Sequence, residues 1–292
     1  MLYQSPKHIG PYSRQSWIDK SDFSLNCPLA AFRAIADRVV ELKQSGETPV
    51  VVVDLDGTVY DVRPRTLAII QRWAIANRDN KRVSFTCDRL KALTTSQIQY
   101  RLTETLSGLS NLLDTSPRKL AAITKSIDTL WSKRFFSDWG VLRDKPYPTA
   151  CKFISRLYEL GATIVYLTGR HEKRDGSTKY GMVASTKYNL KTHDFPFDDK
   201  DPRTQLFFKE NWEDQDAEFK DKIAERLNLI GVVAAIMENE PSNVVVMRQK
   251  YPEAVMAFAY TQCNDKAVAT VKGNNLVCFE WEGVTHLRTN YR

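Results

Sequence analysis

The sequence predicts a doubly wound α/β fold: a Rossmann-like parallel sheet carrying an inserted α-helical unit. Three observations lead there. The runs Pro49–Val53, Ala162–Leu167 and Gly231–Met237 are strand-sized and apolar throughout, as strands buried on both faces are. Helical patterns separate them, which implies right-handed crossovers and helices on both faces of one sheet. From about residue 63 to residue 143 the strand-like runs give way to amphipathic helical spacing.

Taken in order, residues 1–26 are polar and aromatic without a period and read as an irregular N-terminal arm. A core is expected over 27–62 and 144–292, interrupted by a helical cap over 63–143. Apolar residues at Leu29, Phe32, Ile35, Val39, Val40 and Leu42 predict a helix from Pro28, with Gly46 just past its end. The first buried strand closes in Asp54. In the insertion, Thr66–Ile75, Ser96–Leu113 and Pro117–Phe136 have helical spacing. Alternation then resumes: helix Tyr147–Leu160, strand Ala162–Leu167, helix Thr178–Leu190, short strand Gln205–Phe208, helix Asp214–Leu229 and strand Gly231–Met237. Helix Pro241–Tyr251, with proline where its missing N–H costs nothing, and strand Ala254–Tyr260 complete the pattern.

Composition narrows the class. The 292 residues are 42% hydrophobic and 26% charged, ordinary for a soluble globular protein. No apolar run is long enough to span a membrane, and the N-terminus has no apolar segment after a basic start. The five cysteines are widely spaced without a CxxC pair, so reduced thiols and a cytoplasmic location are expected. A net charge of +7 favours anionic partners, small phosphates and nucleic acids alike.

In a doubly wound sheet, ligands bind beyond the carboxyl ends of the strands. Those ends read Asp54-Leu-Asp-Gly-Thr-Val, Thr168-Gly-Arg, Lys209 and Glu238-Asn-Glu. Together they make a set suited to phosphoryl transfer. An aspartate can attack phosphorus and divide hydrolysis into two easier steps. Carboxylate meeting phosphate demands positive charge, from Mg²⁺ on hard oxygen ligands and from the Lys209 ammonium. A second aspartate can protonate the leaving oxygen and then activate water. Gly57 permits a sharp turn beside the phosphate, and the Thr168 hydroxyl and Gly169 lie where phosphate oxygens would sit.

The first of these segments resembles the leading motif of the haloacid dehalogenase-like hydrolases, DxDGT[TLV]; Thr168, Lys209 and Met237-Glu-Asn-Glu-Pro resemble the second, third and fourth motifs, in order. The resemblance runs from about Pro28 to Tyr260. It implies a phosphatase in which Asp54 is the nucleophile and Asp56 the acid/base. Thr168, Gly169 and Lys209 would bind phosphate. Mg²⁺ would be held by Asp54, the main-chain carbonyl of Asp56 and Glu238, with Asn239 supporting it. The family places a helical cap where the insertion lies. One departure stands out: the fourth motif usually has two aspartates, whereas this chain has Glu238, Asn239 and Glu240, so either glutamate is open as the principal ligand.

Other residues carry plainer expectations. Arg170 can bind substrate phosphate or pair with a nearby acid. Arg63 and Arg65 read as surface charge, His171 and His193 as surface or loop histidines, Lys222 as a solvated helix residue, and the Trp and Tyr residues of the insertion as its core and not as base-stacking platforms. Asp198–Asp201 reads as a solvated turn. His171–Tyr188 reads as a second mobile element at the rim. The expected substrate is a small phosphorylated metabolite. Two alternatives stay open. One is a polynucleotide 3′-phosphatase, because basic Arg170–Lys191 is similar to the Thr/Ser-Gly-Arg loop of such enzymes. The other is a phosphate-binding protein without catalysis.

Overall fold

The computed structural model describes residues 13–25, 28–173, 181–263 and 269–281. Among these residues nine strands carry the framework: β1 (Ser24–Leu25), β2 (Pro49–Val53), β3 (Tyr60–Asp61), β4 (Lys145–Pro146), β5 (Thr163–Lys173), β6 (Thr204–Asn211), β7 (Val232–Glu238), β8 (Val255–Ala259) and β9 (Leu276–Phe279). Seven form one sheet in the order β1-β9-β8-β7-β2-β5-β6, with every neighbouring pair parallel. The α/β doubly wound class read from the sequence is the observed one.

The pleat explains why the central strands are apolar throughout. Val51 and Val53 of β2 face one core with helices Pro28–Gln44 and Ala150–Glu159. Val50 and Val52 face a second core, shared with helices Asp216–Ile230 and Pro241–Lys250. Ile164 and Tyr166 of β5 join the first core, and Val165 and Leu167 the second. Burying one such side chain contributes about 1.5–3 kcal/mol, and β2 does so on both faces.

From β2 the chain runs outward through β5 and β6, then returns to the other side of β2 with β7 and continues to β8 and β9. The crevice between β2 and β7 is therefore the topological switch point, where loops leave in opposite directions.

The antiparallel pair β3–β4 brackets the insertion. Between these two short strands lie helices Arg63–Ala76, Ser84–Lys91, Leu102–Gly108, Ser110–Leu113, Pro117–Arg134 and Asp138–Val141. They bury a third apolar cluster of their own, including Ile69, Trp73, Leu106, Ile123 and Ile127. Among the described residues no helix is long and apolar enough to cross a membrane.

Several expectations need correction. The described part of the arm is regular: Ser13 caps a helix Arg14–Lys20 by accepting from the Ser16 N–H at 3.2 Å. That helix buries Trp17 and Ile18, and Trp17 packs edge-on against Phe258. Strand β1 then adds the sheet edge, beside a strand β9 that the sequence reading missed. Strand β5 extends six residues past its predicted end at Leu167, through an irregularity between Leu167 and His171. The first part of the predicted helix Thr178–Leu190, and part of the predicted rim element, lie outside the described residues; the observed helix is Val183–Thr192.

Candidate active site

Asp54 directly follows β2, and its N–H donates to the Met237 carbonyl of β7, so the residue bridges the switch-point crevice. Its carboxylate is buried. The Lys220 ammonium donates to Asp54 Oδ1 at 2.9 Å and also contacts Glu238 Oε2. The Thr58 hydroxyl lies 2.9 Å from Asp54 Oδ2 and 3.1 Å from Asn239 Oδ1, and its one proton serves one of them at a time.

Glu238, the last residue of β7, is held on both oxygens. Oε1 accepts from the N–H groups of Asn239 at 2.9 Å and Glu240 at 3.0 Å, and Oε2 from Asn243 Nδ2 at 3.3 Å. Asn239 donates to the Gln262 carbonyl at 2.9 Å. Of the two glutamates, Glu238 is the one in the buried cluster. Glu240 instead accepts from the Tyr100 hydroxyl of the insertion at 2.8 Å. Gly57 is required by both space and conformation: φ is +81°, and a Cβ would lie 2.1 Å from Asn239 Nδ2.

Asp56 is fastened differently. Arg170 Nε and Arg65 Nη2 each donate to its Oδ1 at 2.8 Å. Behind them, wholly buried Asp144 binds both guanidiniums, Arg65 Nη2 at 2.6 Å and Arg170 Nη2 at 2.8 Å. Arg65 and Asp144 sit at the two ends of the insertion, so this four-residue network ties both linkers to Asp56. Its Oδ2 accepts no hydrogen bond among the described residues, and the side chain keeps 30% exposure. That oxygen is left for the cavity.

The charges shift accordingly. Burial, reinforced by the Glu238 charge and only partly offset by Lys220, pushes the Asp54 carboxyl up to about 7. Burial would also raise Asp56, but the Arg170 and Arg65 guanidiniums outweigh it and bring that carboxyl down to about 2. The carboxylates of Asp54 and Glu238 bring Lys220 above the usual ammonium range against the opposing effect of burial. One aspartate thus resists ionisation while its neighbour two residues on is a firm anion.

Thr168 is buried, at the irregularity within β5 and not at its end, and its Oγ1 accepts from the Arg170 N–H at 3.2 Å. Gly169 lines the cavity; a Cβ there would lie 2.4 Å from Asp216 Oδ2. Lys209 is the site assignment that needs correction. Its ammonium is spent on the carbonyls of Trp212 at 3.3 Å and Asp214 at 2.7 Å, and on Asp216 Oδ1 at 2.7 Å. It secures the loop leading into helix Asp216–Ile230, and that helix delivers Lys220 to Asp54.

Arg170 pairs with acids, one of its two expected roles. Arg65 is not surface charge but fully buried, and His171 is buried too. Arg63 pairs with Asp61 at 2.8 Å on the cavity wall. Asp198–Asp201 is a turn, its Asp201 carboxylate accepting from the Tyr158 hydroxyl.

All this opens on a cavity of about 430 Å³ between the strand ends and the insertion, lined by Asp54, Asp56, Arg170, Glu238 and Asn239 on one side. With both carboxylates ionised, Asp54, Glu238 and Lys220 together carry one net negative charge in a buried place, and hard oxygen atoms are the donors. Both features fit a divalent cation. Among the described residues no third carboxylate, imidazole or thiolate joins them in a metal-holding group. Main-chain oxygen, water or substrate phosphate would complete the shell, the mixture Mg²⁺ favours.

Solved structures of similar architecture exist. The chain is similar to a Clostridium difficile protein named as a candidate phosphatase, at 14% identity and a TM-score of 0.42, covering 78% of this chain and 94% of that one. It is similar to a haloacid dehalogenase-like family hydrolase from Streptococcus pneumoniae, at 10% identity and a TM-score of 0.38, covering 80% and 94%. A subfamily IA hydrolase of the same superfamily from Geobacter sulfurreducens matches at 11% identity and a TM-score of 0.37, covering 78% and 91%. No family model matches the chain, and no curated protein does. At such distances the matches speak to neither activity nor substrate, which rest on the residues themselves.

Proposed function

We propose that the chain is a Mg²⁺-dependent phosphomonoesterase working through an aspartyl-phosphate on Asp54. The observation that carries this reading is the buried Asp54–Lys220–Glu238 cluster, open to a ligand-sized cavity at the switch point, with Asp56 beside it. A binding protein has no need of a second carboxylate held apart from the first. That pair favours catalysis over phosphate binding alone.

In the first step an Asp54 oxygen attacks phosphorus. The bond to the leaving oxygen breaks with its electron pair, and that oxygen takes a proton from Asp56. In the second step water attacks the phosphoryl group, Asp56 takes the water's proton, and Asp54 departs as the carboxylate. Asp56 is ionised in the free protein, the form the second step needs. Leaving-group protonation requires the Arg65 and Arg170 contacts to loosen as substrate binds, so that Asp56 takes up from solvent the proton it then donates. Thr168 and the Gly169 main chain would receive phosphate oxygens. When bound by Asp54, the main-chain carbonyl of Asp56 and Glu238, with Asn239 in support, Mg²⁺ supplies positive charge against the phosphate.

A small substrate is supported over a polynucleotide by what happens to the basic stretch after Thr168. Arg170 is buried and paired, Lys173 pairs with Glu210, and Lys187 and Lys191 share Asp199. Among the described residues of that stretch this charge is largely paired within the chain, where a nucleic-acid backbone would need it free.

Phosphate release from an aryl phosphate tests the reading: chelation should stop it and Mg²⁺ restore it. Mg²⁺ should also raise the thermal midpoint of the wild type, an effect Glu238→Ala should remove. Equal turnover in chelator and in Mg²⁺ contradicts the metal assignment. Asp56→Asn should slow alkyl phosphates by about 10²–10⁴-fold and activated aryl phosphates much less, because the latter leave without a proton. Equal losses on both would show that Asp56 is not the proton donor.

A further inference from the structure

Part of the cavity lining contributed by the insertion is aromatic. Trp131, Phe135 and Phe136, from the end of the long insertion helix and the turn after it, all line the cavity that holds Asp54 and Asp56. Trp131 lies on Phe135 with ring centroids 4.5 Å apart and planes 24° from parallel. Phe136 stands across both, 5.4 Å from Trp131 at 87° and 4.9 Å from Phe135 at 71°. The three rings form a corner of two walls near right angles. The core expected of the insertion's tryptophans is met in part: Trp131 and Phe135 pack against the insertion's apolar cluster, while all three rings stay half-buried.

This corner offers almost no hydrogen bonds. The Trp131 indole N–H is spent on Thr66 Oγ1 at 3.1 Å. The Arg65 guanidinium lies 5.0 Å from the Phe135 ring, but it is wholly buried, with its Nε and Nη2 held by Asp144 and Asp56. A hydroxyl pressed against these ring faces would find no partner on them, although Gln99, Arg101 and Asp128 line the same cavity. A flat ring loses nothing and gains stacking and edge contacts. The cavity's volume of about 430 Å³ lies within the roughly 300–1,000 Å³ usual for small-molecule pockets. It can hold a phosphate and a ring system together.

Building on the phosphomonoesterase reading, we propose that the Trp131–Phe135–Phe136 corner is a subsite for a flat heteroaromatic ring. The substrate class is then a phosphomonoester whose leaving group carries a nucleobase-sized ring. The phosphate end would be read by the strand-end residues and the ring end by the insertion, so that the insertion selects among chemically equal esters.

Adenosine 5′-monophosphate and ribose 5-phosphate make a matched pair, since both present a primary 5′-phosphate on ribose and only one carries a ring. Stacking on aromatic side chains is worth about 1–3 kcal/mol per base, so kcat/KM with Mg²⁺ should favour the nucleotide by about 5–150-fold. The preference should shrink in Trp131→Leu and in Phe136→Leu. Calorimetric titration of Asp54→Asn with the same two ligands reads the subsite without turnover and distinguishes a lost subsite from a misfolded variant. Tighter binding of the nucleotide is expected there as well. Hydrolysis of both esters at equal kcat/KM would overturn the subsite and leave the phosphatase reading intact. Absence of turnover on either would count against the phosphatase reading alone, and equal affinities in the titration would then still overturn the subsite.

Discussion

Asp54→Asn should abolish turnover and, in the same protein, raise stability. An amide cannot form the acyl-phosphate; loss of a hydrolase nucleophile costs on the order of 10⁶ in kcat, which here means activity at the detection limit. The stability gain has a separate origin. Burial next to Glu238 lifts the Asp54 carboxyl to about 7, above its ordinary 3.8. A raised folded-state value means that protonation favours the fold. The associated stability is full below about 4 and is lost as pH climbs through about 7. In chelator, wild-type stability should therefore decline between about pH 4 and pH 7, and Asp54→Asn should flatten that decline. Thermal melts of both proteins across this range check the sign. A mutant less stable than wild type at pH 8 would contradict the account of the buried charge.

Lys220→Met should be the most damaging of the lysine substitutions. It removes the ammonium between two buried carboxylates, and unpartnering a buried charge costs about 3–5 kcal/mol. It also deletes the positive charge closest to the attacking oxygen, so activity should fall with stability. Adding Asp54→Asn removes one carboxylate and should recover part of the stability with no activity. Lys209→Met touches only the loop carbonyls and Asp216, and its kinetic effect should be much smaller. Denaturant unfolding and phosphate release on the four proteins measure this. A larger kinetic loss in Lys209→Met than in Lys220→Met would return the phosphate-site role to Lys209.

The contrast between these two lysines shows where the sequence is legible. Asp54 and Glu238 each close an apolar run, and the parallel sheet brings both to the cavity, whereas β5 continues past Thr168 to Lys173. Lys209 follows a similar run, but β6 continues to Asn211 and aims Lys209 at its own loop. Lys220 lies a helical turn into the next element, where strand ends give no hint. A signal did exist: residues 220, 223, 224 and 227 form the buried stripe of that helix, and Lys220 is the one charged member. Arg65 is the same case, a cation on the buried stripe of Arg63–Ala76 with Ile69, Ile70 and Trp73. A charge on an apolar stripe needs a buried partner.

Asp144 carries no such mark. It lies between the insertion's last helix and β4, and only the tertiary approach of Arg65 and Arg170 gives it a role. The N-terminal helix was hidden for another reason. Seven residues are too few to show a period, and Trp17 and Ile18 acquire their meaning from Phe258, far along the chain.

The central claim is covalent chemistry at one carboxylate, and a trapping experiment addresses it most directly. The wild type is mixed with a phosphomonoester and Mg²⁺, quenched in acid within a turnover, and reduced with borohydride. Reduction converts an aspartyl-phosphate to homoserine and leaves free aspartate alone, so mass spectrometry of the peptide containing Asp54 and Asp56 reads the position. Homoserine at residue 54, dependent on substrate and Mg²⁺, is the predicted result. Turnover without any reduced aspartate, or with the change at residue 56, would contradict it.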